Sequence, residues 1–509
     1  MAKQMIKIDV KAAKADVVKL KADVLALGVF SDVKNSEILD TLDKKLDGAI
    51  TKLKKLGDFK AAAGSSMFVY TNGKIAAERI LLVGFGEKKN ATMDTFRQAA
   101  AKSAFEAVNV KAKKLAVVLH YDEPDTDYEK LGQITTEAIY FGGYRYNEFI
   151  TQKKDDATTL LSAVIVSDSQ PIVNKLGKGV KVGQVIGEAQ NYARTLCNRP
   201  GNVVYPAVLA DVAKKIAAST KGLSCTVFDE KKLAAKKMGG ILAIGQGSIH
   251  KPRMIIIKYS PKGKTKGEPI ALVGKAITFD TGGISLKPSA DMHEMKYDMT
   301  GGAAVMMAME IVAKLKLPIQ VYGIICAAEN KPDAASCLPG DIVTTSSGKT
   351  IEILNTDAEG RVVLSDGLEQ ARQLKCKIAV DLATLTGACV VALGKHKAGL
   401  FSNDEKLSER LQAAAKDSGE QLWPLPYGQE YIDEVKSKVA DLKNIGGGRW
   451  GGSCIGAAFI GEFAKDIQWA HLDIAGKTDA YEPMLKYTQS GSIGFGVRLL
   501  SSFLMNLKR

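Results

Sequence analysis

Short apolar runs alternate with longer stretches of helical spacing over the first third of the chain. Runs with the length and composition of buried β-strands occupy residues 24–29, 80–83, 115–119 and 163–166. Residues 94–108 and 129–141 repeat apolar side chains at the intervals of an amphipathic helix. This alternation predicts an α/β domain around a largely parallel sheet. Gly84-Phe-Gly86 follows one strand but lacks the further glycine and acid of a dinucleotide site, so we interpret it as a turn.

The same alternation resumes after a helical stretch at 182–197, which ends at Asn198-Arg-Pro-Gly-Asn202 because proline and glycine interrupt helices. The strands predicted beyond it are 253–258, 270–274, 319–327, 351–354 and 377–382, and the helices are 302–315, 363–374 and 405–417. We predict a smaller N-terminal α/β domain at 1–170, a connector with a linking helix at 171–205, and a larger C-terminal α/β domain at 206–509.

Composition agrees with a globular protein of more than one domain. The chain has 509 residues, of which 46% are hydrophobic and 25% charged. It has no apolar run of the roughly 20 residues that a membrane helix needs, and its N-terminus lacks the apolar centre of a signal peptide. The seven cysteines are scattered without a CxxC pair, which favours reduced thiols. We therefore predict a cytoplasmic protein without a membrane partner.

A formal charge of +14 raises the question of a polyanion partner. The basic excess is spread over both halves of the chain, and the short lysine clusters are not interleaved with aromatic residues. This distribution favours a solvated lysine-rich surface over a nucleic-acid site.

Two segments that follow predicted strands concentrate charged side chains. They contribute Lys275, Asp280, Lys287 and Asp298 from the first segment, and Asp357, Glu359 and Arg361 from the second. Gly282-Gly283 allows the first segment to turn back tightly, and the second is a strand-to-helix loop. Because ligands of α/β proteins bind beyond the carboxyl ends of the strands, we expect both segments to line one crevice.

Four clustered carboxylates repel one another unless cations lie between them, and two divalent ions bridged by shared carboxylates meet that need. With almost no histidine nearby, Zn²⁺, Mn²⁺ and Mg²⁺ are all candidates. Each acid taken singly has a structural alternative, since Asp357 could cap the following helix and paired glycines occur in simple turns. Spacing alone thus indicates a metal hydrolase or a metal-binding α/β domain.

The second segment carries a resemblance to a known family. Asn355-Thr-Asp-Ala-Glu-Gly-Arg361 is identical to the signature heptapeptide of the leucyl aminopeptidase family (cytosol aminopeptidases, peptidase family M17). The segment 274–288 resembles the family's other strong motif, and further likeness lies at 198–203, 381–387 and 469–476. The resemblance runs from about residue 185 to the end, and before residue 170 it rests on domain order only. It implies a macro-like N-terminal domain, a linking helix, and a catalytic domain with a mixed central sheet between helices.

The resemblance also implies a role for each charged residue. The ligands of a tightly held metal would be Lys275, Asp280, Asp298 and Glu359, and those of an exchangeable metal Asp280, Asp357 and Glu359. Lys275 can ligate only as a neutral amine, which an adjacent dication favours. Lys287 would stabilise the oxyanion of the tetrahedral intermediate. Arg361 would hold a bicarbonate ion, the general base, through its planar guanidinium.

The activity implied is that of a metal-dependent aminopeptidase, which hydrolyses the N-terminal peptide bond of peptides with a hydroxide bound to two metals. A pocket for leucine and other apolar side chains would be formed by Met295, Thr384, Leu385, Gly387 and Ala475. The metals would be Zn²⁺ or Mn²⁺, with Mg²⁺ or Co²⁺ as further candidates, and the family assembly is a homohexamer, a dimer of trimers. The alternatives are a DNA-binding regulator, with or without peptidase activity, and a two-metal phosphoesterase.

Overall fold

The computed structural model describes residues 7–118, 126–151, 160–263, 265 and 267–507. The chain forms two compact units. One contains residues 1–191 together with 480–490, and the other contains residues 192–479 and 491–509. None of the helices in the described part of the chain combines the length and apolar composition that a membrane crossing requires.

The N-terminal unit is built on a six-stranded sheet with the order β1-β6-β5-β2-β4-β3. The strands are β1 Asp9–Lys14, β2 Val24–Phe30, β3 Ser66–Tyr70, β4 Arg79–Gly86, β5 Lys114–Val118 and β6 Ser162–Ser167. All neighbours are parallel except β3 and β4. The helices are α1 Glu37–Lys45, α2 Ala49–Leu56, α3 Met93–Asn109, α4 Tyr128–Gly143 and α5 Gln170–Asn198. The predicted largely parallel α/β sheet is confirmed; residue 119 of the third predicted strand lies outside the described residues.

Two expectations for this unit are wrong. Gly84-Phe-Gly86 is not a turn, because β4 continues through it and Gly84 exchanges backbone hydrogen bonds with residues 64 and 65. The helix expected at 182–197 begins at Gln170. Glycines obscure the apolar pattern of its first half, and at Gly179 they allow close packing, since a Cβ there would lie 1.9 Å from the carbonyl oxygen of Glu129 in α4.

The C-terminal unit is built on a mixed eight-stranded sheet with the order β15-β14-β17-β13-β9-β10-β8-β7. Its strands are β7 Leu223–Phe228, β8 Arg253–Tyr259, β9 Ile270–Asp280, β10 Val321–Asn330, β13 Ile378–Ala383, β14 Ala398–Ser402, β15 Leu422–Pro424 and β17 Gln468–Asp473. A small second sheet has the order β11-β12-β16, formed by Ile342–Thr344, Thr350–Glu352 and Leu442–Lys443. Strands β10, β9, β13 and β17 run parallel in the centre.

Helices cover both faces of this sheet. The α-helices of this unit beyond α5 are α6 Pro206–Ser219, α7 Glu230–Ala235, α8 Gly239–Gly245, α9 Thr300–Lys314, α10 Glu359–Gln373, α11 Gly387–Leu393, α12 Glu405–Ser418, α13 Gln429–Glu434, α14 Gly452–Gly461 and α16 Val497–Asn506, whereas α15 Glu482–Leu485 belongs to the N-terminal unit. Val273 contacts α10 and its neighbour Gly274 contacts α9, so these two helices lie on opposite faces of β9. The mixed sheet between helices is thus confirmed.

Strand β9 is longer than the predicted 270–274 and extends to Asp280. All of its eleven residues except Phe279 are buried, including the polar Lys275, Thr278 and Asp280. Lys275 therefore lies inside the strand and not at its end. The polar residues that shortened the predicted strand are those that line the candidate site.

Residues 480–490 return to the N-terminal unit and contain α15. The Thr488 hydroxyl donates a hydrogen bond to the Phe141 carbonyl at 3.4 Å, and the rings of Tyr487 and Phe141 lie 6.4 Å apart. Met484 is buried. The N-terminal unit is thus completed by a segment from near the end of the chain.

Candidate active site

The site lies at the carboxyl ends of three adjacent parallel strands. Asp280 ends β9, Asn330 ends β10 directly opposite it, and Thr384 follows β13. The Asn330 amide donates to Asp280 Oδ1 at 2.8 Å and to the Thr356 carbonyl at 3.0 Å. Both charged segments thus meet in one crevice, as the sequence predicts for ligand sites of open α/β sheets.

The turn after β9 depends on two glycines with left-handed backbone. Gly282 has φ +88° and Gly283 φ +67°, and a Cβ on Gly282 would lie 2.4 Å from the Ser285 carbonyl oxygen. The turn brings the Lys287 amide back to the Thr281 carbonyl at 2.9 Å. Thr356 fastens this turn to the second segment, because its hydroxyl donates to the Gly282 carbonyl at 2.6 Å and accepts from the Ser285 amide at 2.8 Å.

The second segment turns into α10, whose first residue is Glu359. The residue preceding the helix is Ala358, and no side chain caps it, so the capping alternative for Asp357 is wrong. The Asp357 amide instead donates to Asn355 Oδ1 at 2.8 Å, and its carboxylate contacts Lys287 Nζ. The side chain of Asp357 therefore faces the crevice.

Each lysine lies between two carboxylates. Lys275 Nζ is 2.8 Å from Asp298 Oδ1 and 2.6 Å from Glu359 Oε1, and it also donates to the Thr384 carbonyl at 2.7 Å. Lys287 Nζ is 2.9 Å from Asp280 Oδ2 and contacts Asp357. The Lys275 cluster is buried, whereas the side chains of Lys287 and Asp357 are 22% and 33% exposed. The crevice is thus open to solvent on the side of Lys287 and Asp357.

Burial and neighbouring charges raise the pKa values of three carboxyl groups and of one lysine in the crevice. Burial raises the pKa of Asp298 well above its ordinary value, and burial and the Asp280 charge raise the pKa of Glu359 and of Asp357. Burial alone would lower the pKa of Lys275, but the surrounding carboxylates outweigh it and raise this pKa. The carboxylates in the crevice therefore lack sufficient cationic partners.

The donor set fits divalent cations. One carboxylate oxygen each from Asp280, Asp357 and Glu359 lie within 4.8 Å of one another, and buried Asp298 Oδ2 has no hydrogen-bond partner among the described residues. Four carboxylates face two lysines, so two negative charges are in excess. Oxygen ligands with few nitrogens suit several divalent metals rather than one.

Arg361 lies beside this cluster in the first turn of α10. Its Nη1 donates to the Asn444 carbonyl at 2.9 Å, and its buried Nε has no hydrogen-bond partner in the described part of the chain. Burial lowers the pKa of Arg361 to about 10, against the opposing charges of Glu359 and Asp473. The guanidinium thus remains cationic at neutral pH and keeps a free donor.

Two acidic residues, Asp298 and Asp473, accept hydrogen bonds from residues of the predicted pocket. The Thr384 hydroxyl donates to Asp298 Oδ1 at 2.6 Å. Buried Asp473 accepts the amides of Leu385 at 3.3 Å and Ala475 at 3.2 Å, so it joins two walls. The other two members are the exposed Gly387, which begins α11, and half-buried Met295, whose carbonyl accepts the Asp298 amide at 3.3 Å.

Three residues around the site escape sequence reasoning, namely Asn330, Asn444 and Asp473. Asn330 had a usable signal, because it is a polar residue at the end of β10, which is otherwise apolar up to Ala328 and pairs with β9. Asp473 ends β17 in the same way. Asn444 follows a two-residue strand that has no pattern of its own, so nothing local indicates it.

The architecture and the buried carboxylate–lysine cluster together define a metal-dependent hydrolase of the α/β class. A family model described as the cytosol aminopeptidase family, catalytic domain, matches residues 191–501, and one for the N-terminal domain of that family matches residues 26–153. The chain belongs to the cytosol aminopeptidase family, peptidase family M17, and is a metal-dependent aminopeptidase.

Relatives and solved structures of this family match over nearly the whole chain. Probable cytosol aminopeptidases of Syntrophotalea carbinolica and Aquifex aeolicus are 40% and 39% identical, covering 95% and 99% of this chain and 97% and 99% of their own. A mutant of tomato leucine aminopeptidase superposes with a TM-score of 0.88 at 32% identity, over 99% of this chain and 97% of that one. The bottromycin maturation enzyme BotP in complex with Mn has a TM-score of 0.82 at 33% identity, over 96% and 100%.

Proposed function

We propose that the protein removes leucine and other apolar residues from the N-termini of peptides at a centre that holds two divalent metals. The observation that carries this proposal is the buried excess of carboxylate over lysine in the crevice. Two bound divalent ions supply Lewis acidity, which activates a water and polarises the scissile carbonyl. Lys275, Asp280 and Glu359 would hold them together with Asp298 and Asp357.

The remaining residues act on the substrate. Lys287 lies at the exposed side of the crevice, and its cation would stabilise the negative charge that develops on the carbonyl oxygen. Arg361 keeps a buried Nε that has no hydrogen-bond partner among the described residues, which suits a planar anion such as bicarbonate. A bicarbonate ion held there would supply the general base.

The preference for apolar side chains rests on the predicted pocket. Leu385, Met295 and Ala475 present hydrocarbon surfaces, and the Thr384 hydroxyl is already used by Asp298. A charged side chain would find no free partner among these groups and would lose its hydration, whereas leucine would bury its surface favourably. The cytoplasmic location remains a prediction from the cysteines and the N-terminus, and the homohexamer one from the family resemblance. DNA binding stays an alternative without a supporting observation.

Metal removal and replacement test the centre directly. The chelator-treated protein is expected to lose cleavage of leucine amide and to regain it with divalent metal, most with Mn²⁺ or Zn²⁺, Mn being the metal in the BotP complex. Separate refilling with Zn²⁺, Mn²⁺, Co²⁺ and Mg²⁺ is read out on leucine, methionine, alanine, lysine and aspartate amides. Since Lys275 must lose a proton to become a ligand, the apparent metal affinity should rise with pH.

Three results would contradict the proposal or a part of it. Full activity of the chelated protein would remove the metal requirement. Hydrolysis of phosphate esters without any cleavage of amides would favour a phosphoesterase instead. Faster cleavage of aspartate than of leucine amide would overturn the pocket assignment alone.

A further inference from the structure

Asn444 holds the strand-to-helix loop that carries the proposed metal ligands. It follows β16 and is completely buried. Its side-chain amide donates to the Asn355 carbonyl at 2.6 Å and to the Ala358 carbonyl at 3.4 Å. Its Oδ1 accepts the amides of Leu354 at 2.8 Å and Asn355 at 3.3 Å. One planar amide therefore fixes the backbone on both sides of Asp357.

The main chain of the same residue reaches further along the segment. The Asn444 amide donates to the Glu352 carbonyl at 3.0 Å, and its carbonyl accepts Arg361 Nη1 at 2.9 Å. Arg361 Nε makes no hydrogen bond within the described residues, so the Asn444 carbonyl is the contact that orients the guanidinium. Asn444 thus contacts the segment before, within and after its ligands.

The loop is held from two directions. Thr356 binds it to the turn after β9, and Asn444 binds it from the side of the small sheet. Removing either support would leave the loop attached on one side only. Carboxylate ligands must be held within a fraction of an ångström of their working positions. Loss of one support is therefore expected to weaken metal binding more than it destabilises the fold.

We propose that Asn444 is a positioning residue of the aminopeptidase reaction, setting the Asp357 and Glu359 carboxylates and the Arg361 guanidinium relative to one another. The proposal rests on the two-metal function proposed above. It predicts that the Asn444 side chain governs metal affinity and turnover, and affects the apolar pocket, built from other segments, much less.

The chain contains a control in Asn403, an exposed residue that follows β14 and whose side chain also binds backbone groups. Its side-chain amide donates to the Ile467 carbonyl at 3.0 Å and the Ala464 carbonyl at 3.4 Å, and its Oδ1 accepts the Trp469 amide at 2.8 Å. None of these bonds reaches either metal-binding segment. Asn403→Ala therefore measures the stability that is lost when an asparagine side chain bonded to the backbone is removed outside the metal site.

The test compares Asn444→Ala, Asn403→Ala and the unmodified full-length protein. Mn²⁺ binding to the metal-stripped proteins is measured by calorimetry, and kcat and KM are measured on leucine amide with saturating Mn²⁺. We expect Asn444→Ala to weaken Mn²⁺ binding and to lower kcat by about 10- to 100-fold, with a smaller change in KM. Asn403→Ala should leave both within about twofold, and the unfolding midpoint of each variant is measured in parallel.

Equal Mn²⁺ affinity and kcat in the two alanine variants would overturn the positioning role. If Asn444→Ala does not fold, Asn444→Ser, which keeps one hydrogen-bonding group, is expected to show smaller changes in the same direction, and unchanged values would again overturn the proposal. Mn²⁺ binding decides the question independently of catalysis. If the unmodified protein failed to cleave leucine amide, the proposed function would fail while the binding comparison still tested Asn444.

Discussion

Alanine at Lys287 is expected to lower kcat on leucine amide by about 10²- to 10³-fold, the usual effect of losing one group that stabilises an oxyanion. Lys287 Nζ lies 2.9 Å from Asp280 and is partly exposed at the open side of the crevice, where a substrate carbonyl can reach it. Alanine at Glu359 should abolish activity as well, because this buried carboxylate is among the groups that would hold the metals. Steady-state kinetics of both variants, with metal content measured in parallel, check the assignment.

Lys331→Ala is the matched control for Lys287. Lys331 directly follows β10, the strand next to β9, and its Nζ is 3.3 Å from Glu329. Its side chain is 40% exposed, and it contacts none of the proposed ligands. Its loss should leave kcat nearly unchanged. Substantial activity in both Lys287→Ala and Glu359→Ala, with metal still bound, would contradict the proposed mechanism.

The largest effect on stability is expected from Asp381→Ala, far from the surface of the C-terminal unit. Asp381 Oδ1 is 2.6 Å from His471 Nδ1, and Asp381 Oδ2 accepts Trp469 Nε1 at 2.7 Å. All three side chains are completely buried. Alanine would leave two buried polar groups without their partner and should lower the free energy of unfolding by about 3–5 kcal/mol.

Urea unfolding followed by tryptophan fluorescence measures this loss, since Trp469 is buried in the unit concerned. Asp404→Ala is the control, because Asp404 caps α12 through the Leu407 amide at the surface and its removal should cost only about 1 kcal/mol. A midpoint for Asp381→Ala equal to that of Asp404→Ala would contradict the expectation.

The sequence predicted most accurately the buried elements that consist mainly of apolar residues. Strands β2 and β8 are almost wholly apolar, and the structure places them within two residues of the predicted bounds. Strand β9 was cut short because Lys275 and Asp280 are polar, and only the tertiary cluster accounts for their burial. The first half of α5 was not predicted, because glycine has a low helix propensity. The glycines occur there because they allow close packing.

In the candidate site too, residues with a local sequence signal could be predicted and residues placed only by tertiary contacts could not. The charged residues of the site could be predicted from the sequence, because carboxylates and lysines that cluster near strand ends seldom have a purely structural role. A family motif also contains several of them. Asn444 could not be found, because its partners are backbone groups of residues nearly ninety positions earlier. Contacts of that kind depend on the small sheet that brings β16 beside β12, which no local pattern predicts.

The return of residues 480–490 to the N-terminal unit has a consequence for biosynthesis. Met484, Tyr487 and Thr488 pack within a unit whose other residues leave the ribosome first. Domains generally fold as they emerge, but this one lacks the buried side chains of Met484 and Thr488 until nearly the whole polypeptide has been translated. A nascent chain stalled before residue 480 should therefore carry an N-terminal unit that proteases cut more readily than the same unit in the released protein.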